Sequence, residues 1–250
     1  AHVHSPVYAK WTPITYAVAY NGNGATGGRT ANSSHTYDTA KNLTANGYER
    51  KYIVTYNHNY TGSTNTSKTA TYTFNGWATS ASGAKVYNNS QSVTNLSSTN
   101  GATVTLHANW SSASVNYTPS RTGYIFGGWY KESACTNKVS DATYTPTSNI
   151  TLYAKWTANT YTLTYDYNGA IGGNSEKSKQ VTYGSTFGAL PTPVKKGYTF
   201  TGWSNASGYV SENTKVTGDE TIRANWSAIT YTIAYNGNGA TGGRTANSSH

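Results

Sequence analysis

The sequence predicts a β-rich, mainly antiparallel protein built from small modules arranged in tandem along an extended array. Charged residues make up only 11% of the 250, well below the roughly 25% usual in soluble domains, while there are 23 Tyr and 7 Trp. Tyr and aliphatic residues alternate in short runs, as in half-buried strands. An identical stretch of seventeen residues, AYNGNGATGGRTANSSH, occurs at 19–35 and again at 234–250. From such internal identity we expect the chain to be an excerpt of a repeat array.

The first element of each module is predicted to be a strand with Tyr, an aliphatic residue and Tyr at alternate positions. A spacing of two places these three side chains on one face of a strand. Gly- and Asn-rich runs follow at 21–28 and 167–173 and predict turns, because both residue types adopt positive φ at low cost. The signature occurs at Tyr16, Val18 and Tyr20; at Tyr161, Leu163 and Tyr165; and at Tyr231, Ile233 and Tyr235, and Tyr52, Val54 and Tyr56 repeat it inside a unit.

The later elements are marked by tryptophan in two recurring contexts. A Gly-Trp pair ends the predicted third strand, and a segment such as LYAKW or IRANW ends the last strand. Large side chains at fixed places in every unit are expected in the core. The predicted structural core is Trp11, Trp77, Trp110, Trp129, Trp156, Trp203, Trp226, Tyr16, Tyr20, Tyr161, Tyr165, Tyr231 and Tyr235.

The closing tryptophans divide the chain into units of 99, 46 and 70 residues, which together form one period of 215. Residues 1–11 are predicted to end a preceding repeat, and 227–250 to begin the next copy of the period. Between them lie an expanded repeat at 12–110 with a hairpin inserted at about 51–77, a short repeat at 111–156, and a simple repeat at 157–226. Forty-six residues are few for an independent core, so the short repeat is expected to be stabilised by contacts with a neighbouring repeat.

The simple repeat contains every predicted element in order. A first strand at TYTLTYDYN is followed by a second segment around VTYGSTF, and a proline-marked connection at LPTP leads to a third strand, GYTFTGW. The last strand is TIRANW.

This combination of a Tyr-rich first strand, GYTFTGW and a terminal LYAKW resembles the Listeria-Bacteroides repeat, also called the internalin B-repeat. The residues that carry the resemblance are 123–129 with 152–156, and 197–203 with 222–226, while 77 and 106–110 match more loosely. The resemblance implies β-grasp-like, ubiquitin-like modules strung in tandem in large secreted or cell-surface proteins of bacteria, with stalk and adhesion roles and no catalytic residues.

The residues themselves provide little for catalysis, and we predict no enzyme, no cofactor and no metal site. Only nine carboxylates are present, and their one adjacent pair, Asp219 and Glu220, is expected in a solvated turn. His2 and His4 have strand spacing but no third ligand nearby. Cys135 is the single cysteine and is expected to be an inert loop residue.

Two functions remain after this exclusion. The leading one is a structural stalk or filament segment of a very large extracellular or cell-surface protein, whose partners are neighbouring repeats and laterally associated chains. The alternative is an adhesin array that binds surface glycans or polyanions, since the net charge is +9. The basic residues of the chain are scattered, so nucleic acid is not expected as a partner. No apolar run reaches the length of a membrane span. The candidate ligand contacts are Tyr60, Tyr117, Tyr130 and Tyr209.

Overall fold

The computed structural model describes residues 6–250, and within them the protein consists of strands, turns and loops with no helix. The predicted all-β class is thereby confirmed. The strands are β1 (Thr15–Asn21), β2 (Gly27–Gly28), β3 (Ser33–Thr36), β4 (Lys41–Asn42), β5 (Tyr48–Asn57), β6 (Thr66–Tyr72), β7 (Phe74–Ala78), β8 (Ser92–Val93), β9 (Thr103–Trp110), β10 (Val115–Asn116), β11 (Tyr124–Tyr130), β12 (Lys138–Ser140), β13 (Thr143–Tyr144), β14 (Ile150–Ala158), β15 (Thr160–Asp166), β16 (Ser178–Thr182), β17 (Tyr198–Asn205), β18 (Gly208–Val210), β19 (Glu220–Ala228), β20 (Thr232–Ile233) and β21 (Ser248–Ser249).

Three larger sheets repeat one mixed pattern, and we call the strands of each a module. The first module has the order β3-β1-β9-β7, the second β6-β5-β14-β11-β12, and the third β16-β15-β19-β17-β18. In every module the first strand pairs antiparallel with the second and parallel with the last. The sheets are therefore mixed rather than wholly antiparallel. We call the parallel pairing of first and last strands the seam.

Four short pairings complete the strand inventory of the described residues. β2 pairs antiparallel with the start of β5 and so extends the sheet of the second module at that edge. The two-stranded sheets are β4 with β8, β10 with β13, and β20 with β21.

The hairpin of β5 and β6 belongs to the sheet of the second module, although its sequence lies inside the first repeat. β5 pairs in parallel with β14, with Val54 opposite Ile150 and Tyr56 opposite Leu152. The hairpin ends at Tyr72, and the chain returns to the first module at Phe74, so the run interpreted as one insertion at about 51–77 contributes to two sheets. The short repeat thus obtains its first two strands from within residues 12–110.

The described chain forms two compact units. One comprises the chain up to Pro119 together with Gly127–Lys155, and the other comprises Ser120–Phe126 with Trp156–His250. The first module and most of the second share the first unit, because their chain segments alternate. The third module lies in the second unit.

A bulge precedes the tryptophan of the third strand in the first and third modules and explains the Gly-Trp pair. Gly76 and Gly202 have φ values of 143° and 127°, at positions where the register of the strand shifts against the last strand. The extra residue turns the following side chain inward. A Cβ on Gly76 would stand 2.4 Å from the carbonyl oxygen of Tyr87, so glycine is required there for space as well as for φ.

We predict that Gly202→Ala lowers the free energy of unfolding of its module by about 1–3 kcal/mol, because alanine is strained at this φ. Gly76→Ala should cost more than Gly202→Ala, since its Cβ also meets backbone. Urea unfolding followed by tryptophan fluorescence measures both. Gly218→Ala is the matched control, because Gly218 has an ordinary φ and open space around it. Equal effects at all three glycines would contradict this explanation.

Candidate functional site

The same aromatic contact lies at the centre of each module. The last Tyr of the first-strand signature packs against the tryptophan of the Gly-Trp pair. Ring centroids lie 4.7 Å apart for Tyr20 and Trp77, 4.6 Å for Tyr56 and Trp129, and 5.5 Å for Tyr165 and Trp203. These three tryptophans are buried. Burial of such large rings contributes much of the apolar area that stabilises a small module.

A second contact joins the third strand to the closing tryptophan of the last strand. A phenylalanine three residues before each Gly-Trp tryptophan packs against that closing ring at 5.5–5.6 Å between centroids. The pairs are Phe74 with Trp110, Phe126 with Trp156, and Phe200 with Trp226. The closing rings are half-buried. Trp110 also donates from Nε1 to the carbonyl of Gly22 at 2.9 Å.

The remaining predicted core residues divide into two groups. Tyr16 is buried, and Tyr161 is half-buried against the core of the third module. Trp11, Tyr231 and Tyr235 are instead 88%, 60% and 51% exposed, so their assignment to a core is corrected for this chain. The physical reason is the lack of covering strands. Trp11 lies outside any strand of the described residues, and the sheet of β20 and β21 has no third member there.

Only one of the four candidate ligand contacts is strongly exposed. Tyr130 is 7% exposed and therefore belongs to the interior, which corrects its assignment. Tyr117 is half-buried, packs against Tyr56, and shares a hydrogen bond with His58. Tyr60 is half-buried, whereas Tyr209 is 73% exposed. Tyr60, Tyr117 and Tyr130 belong to the first compact unit, and Tyr209 belongs to the second.

An asparagine just beyond the first strand hydrogen-bonds to the last strand in each module. We call these residues the latch asparagines: Asn23, Asn59 and Asn168. Each has positive φ, which asparagine tolerates, and donates from Nδ2 to the carbonyl of an alanine in the last strand. The distances are 2.9 Å to Ala108, 3.1 Å to Ala154 and 3.1 Å to Ala224.

The opposite end of each seam has a comparable side-chain bond. We call the residues that supply it the seam caps: Asn100, Asn149 and Asp219. Their Oδ1 atoms accept from the backbone amides of Thr15, Ile53 and Thr162 at 3.1, 2.8 and 2.7 Å. A side-chain hydrogen bond therefore closes each seam at both ends, and Asp219 acts as an acceptor rather than as part of a reactive pair.

Sequence reasoning missed the latch asparagines. Their signal was the sequence Tyr-Asn/Asp-x-Asn, which recurs at 20–23, 56–59, 165–168 and 235–238. The second residue of this motif accepts a hydrogen bond at 2.8–2.9 Å from the backbone amide of the fourth, which forms a tight turn. The same motif marks β5 as the first strand of a module.

The ionisable groups of the described residues do not form a metal centre. No group of three or more His, Cys, Asp or Glu side chains in that part of the chain could hold a metal ion. His2 and His4 lie outside it. Burial raises the pKa of the Cys135 thiol, which weakens it as a nucleophile. Hydrogen bonds from Thr136 and Asn137 lower the pKa of Glu132 to about 2, so this carboxylate is a stable loop acceptor.

His35 is a buried polar residue of the first module. Its ring stacks against Tyr16 at 5.6 Å between centroids, and its Nε2 shares a hydrogen bond of 2.9 Å with Ser33. Burial, and to a smaller extent the charge of Lys41, lower the pKa of His35 below its ordinary value. The folded first module therefore favours the neutral imidazole.

We predict that acidification destabilises the first module through His35. Because the pKa of His35 is depressed in the folded state, the contribution of the neutral imidazole to stability is fully present above the ordinary pKa. It is lost as the pH falls below about 6.5. In His35→Gln, the fall in melting temperature between pH 7.5 and pH 5 should be smaller than in the unsubstituted chain. His250→Gln, at an exposed histidine, is the control. An unchanged pH dependence in His35→Gln would contradict this assignment.

Comparisons with known proteins place these features in a wider context. Curated relatives include a "Putative membrane protein" and a "Putative Gly-rich membrane protein" of Evansella cellulosilytica, 33% and 30% identical over 125 residues. Each alignment covers 48% of this chain, and 18% and 14% of the relatives. Internalin H of Listeria monocytogenes is 42% identical over 89 residues, which are 35% of this chain and 15% of that protein. The chain thus spans less than a fifth of the length of these relatives.

No helix in residues 6–250 is long and apolar enough to cross a membrane. Comparison with solved structures gives no match. The sequence profile of the Listeria-Bacteroides repeat domain, by contrast, matches residues 49–109, 97–155 and 161–225, which together cover most of the chain. The first two matches overlap at residues 97–109, which contain most of β9, the last strand of the first module. The chain belongs to the Listeria-Bacteroides repeat domain family.

Proposed function

We propose that this chain is a non-catalytic structural segment, a stalk or filament portion of a very large bacterial surface protein. The observation that carries the proposal is the recurrence of one seam and one aromatic cluster in three modules. The side chains best suited to stacking on ligands are the tryptophans and tyrosines, and in the modules most of them are buried or half-buried. Such a chain supplies reach and stability rather than a reaction.

The strand order supports the view that each module is β-grasp-like. Numbered along its own chain, the sheet of the third module has the order 2-1-5-3-4, and the second module repeats it. No helix covers the core face in the described residues. Loop residues contribute to that side instead, among them Leu43 and Leu96 in the first module, and Phe187 and Val216 in the third.

An extracellular or cell-surface location is part of this proposal. Its support is the family and the names of the relatives, which describe membrane proteins and an internalin. Neighbouring repeats of the same chain are the expected partners. Lateral association of chains would use the free outer edges of sheets, where unpaired backbone groups can pair with another strand.

The alternative, an adhesin array that binds glycans or polyanions, has two supporting observations. Tyr209 is strongly exposed on β18, and the net charge is +9. Only Tyr209 among the four candidate ligand contacts is strongly exposed, so its stacking would be weak and binding would depend on avidity across many copies. Chains of one and three periods on a glycan array separate the two functions. Saturable binding that strengthens with copy number and disappears in Tyr209→Ala would favour the adhesin.

We predict that the length of the particle increases by a constant amount for each 215-residue period. The reason is that identical periods contain the same modules and repeat the same geometry. Chains of one, two and three periods, imaged by cryo-electron microscopy, measure this increment. A matched array carrying Trp203→Ala in every period should lose the regular spacing of its third modules. Compact particles without a constant increment would contradict a stalk or filament.

A further inference from the structure

We propose that the seams are mechanical clamps, and that the first and second modules resist a pulling force as one unit. This inference rests on the proposed stalk function, because a stalk transmits tension between its ends. It goes beyond that function by assigning the resistance to particular strands and side chains. The observations that carry it are the parallel register of the seams, the bonds that close them, and the alternation of chain segments between two modules.

The parallel seam converts a pull on the chain ends into shear. In the third module, Leu163, Thr164 and Tyr165 lie opposite Glu220, Thr221 and Ile222, in parallel. Tension enters at the start of β15 and leaves at the end of β19, so these neighbouring strands are drawn lengthwise in opposite directions. All hydrogen bonds between them are loaded together, whereas an antiparallel terminal pair would open one bond at a time. Both other modules have the same arrangement.

The side-chain bonds reinforce the seam where sliding has to begin. Asn168 joins the turn after β15 to the carbonyl of Ala224, and Asp219 joins the start of β19 to the amide of Thr162. Lengthwise movement of β15 along β19 breaks both bonds. Forced unfolding is governed by the unfolding rate, so bonds that break at the first step set the resistance.

One continuous strand connects the cores of the first and second modules. β5 begins with Tyr48, whose hydroxyl donates to the carbonyl of Tyr20 at 2.7 Å and whose ring lies edge-on to Trp77. The same strand carries Val54 and Tyr56 into the second core, where both are fully buried. Sliding of β1 pulls on this strand, and only one residue separates the end of β6 from β7. The first module therefore cannot open without disturbing the second.

Single-molecule pulling of the full 250-residue chain between terminal handles tests the proposal. A fully extended chain spans about 3.3–3.6 Å per residue. The third module, from Thr160 to Ala228, should release about 20 nm in one event. The interleaved pair, from Thr15 to Ala158, should release about 45 nm in one event.

Independent opening of the two interleaved modules would overturn the proposal. If the first module opened alone, steps of about 10 and 35 nm would replace the single large event, because residues 73–110 would stay shielded as a loop. If the second opened first, the steps would be about 15 and 30 nm. Either pair of steps shows two mechanical units.

Asn168→Gly tests the clamp itself. Glycine keeps the positive φ and removes the amide, so the unfolding rate of the 20 nm event under constant load should rise about tenfold. The 45 nm event should not change. Asn213→Gly is the matched control, since Asn213 is exposed and lies outside the seam. Equal rates in the two variants would overturn the role of the latch asparagine.

The result is separable from the proposed function. Low unfolding forces in chains that still show a constant length per period would contradict the mechanical clamp but not the stalk function. Absence of that constant increment would contradict the stalk function, while single large events at high force would still support the mechanical clamp.

Discussion

In each module the first strand lies in parallel beside the last, and most of the remaining structure follows from this pairing. The parallel register brings the start and the end of a module to opposite ends of one central pair of strands. The second and third strands then flank that pair, and the tryptophan of the third strand packs against the last Tyr of the first strand. A latch asparagine and a seam cap satisfy backbone groups where the pairing ends.

The aromatic core depends on this central pair for its geometry. The inward face of the first strand presents Tyr, an aliphatic residue and Tyr, and the bulge in the third strand directs tryptophan against the last of these. On the N-terminal side of the bulge, the register places phenylalanine opposite the closing tryptophan. A module of this size buries little apolar surface, so its stability depends on close packing between each ring and its partner. This requirement explains why the tryptophan contexts recur so strictly.

Much of this architecture could be predicted from sequence, since strand periodicity and turn chemistry are local. The Tyr-x-aliphatic-x-Tyr strands and the Gly-Trp strands lie where the pattern indicated, although β20 is short, and the Gly-rich run at 21–28 forms a turn except at Gly27–Gly28, which form β2. The partner of β5 could not be read in the same way, because strand pairing is a long-range property that residue spacing does not encode. The burial of Tyr130 was missed for a related reason. Its neighbour Trp129 also points inward, and the alternation of a regular strand does not hold at an irregular register.

The shared mechanical unit and the completeness of the short repeat both depend on the assignment of β5 and β6 to the second module. Solution NMR of the isotopically labelled chain tests this assignment most directly. We expect backbone proton contacts between Val54 and Ile150 and between Tyr56 and Leu152, at the spacing of a parallel pair. Contacts of the hairpin with β1 or β9, and none with β14, would contradict it.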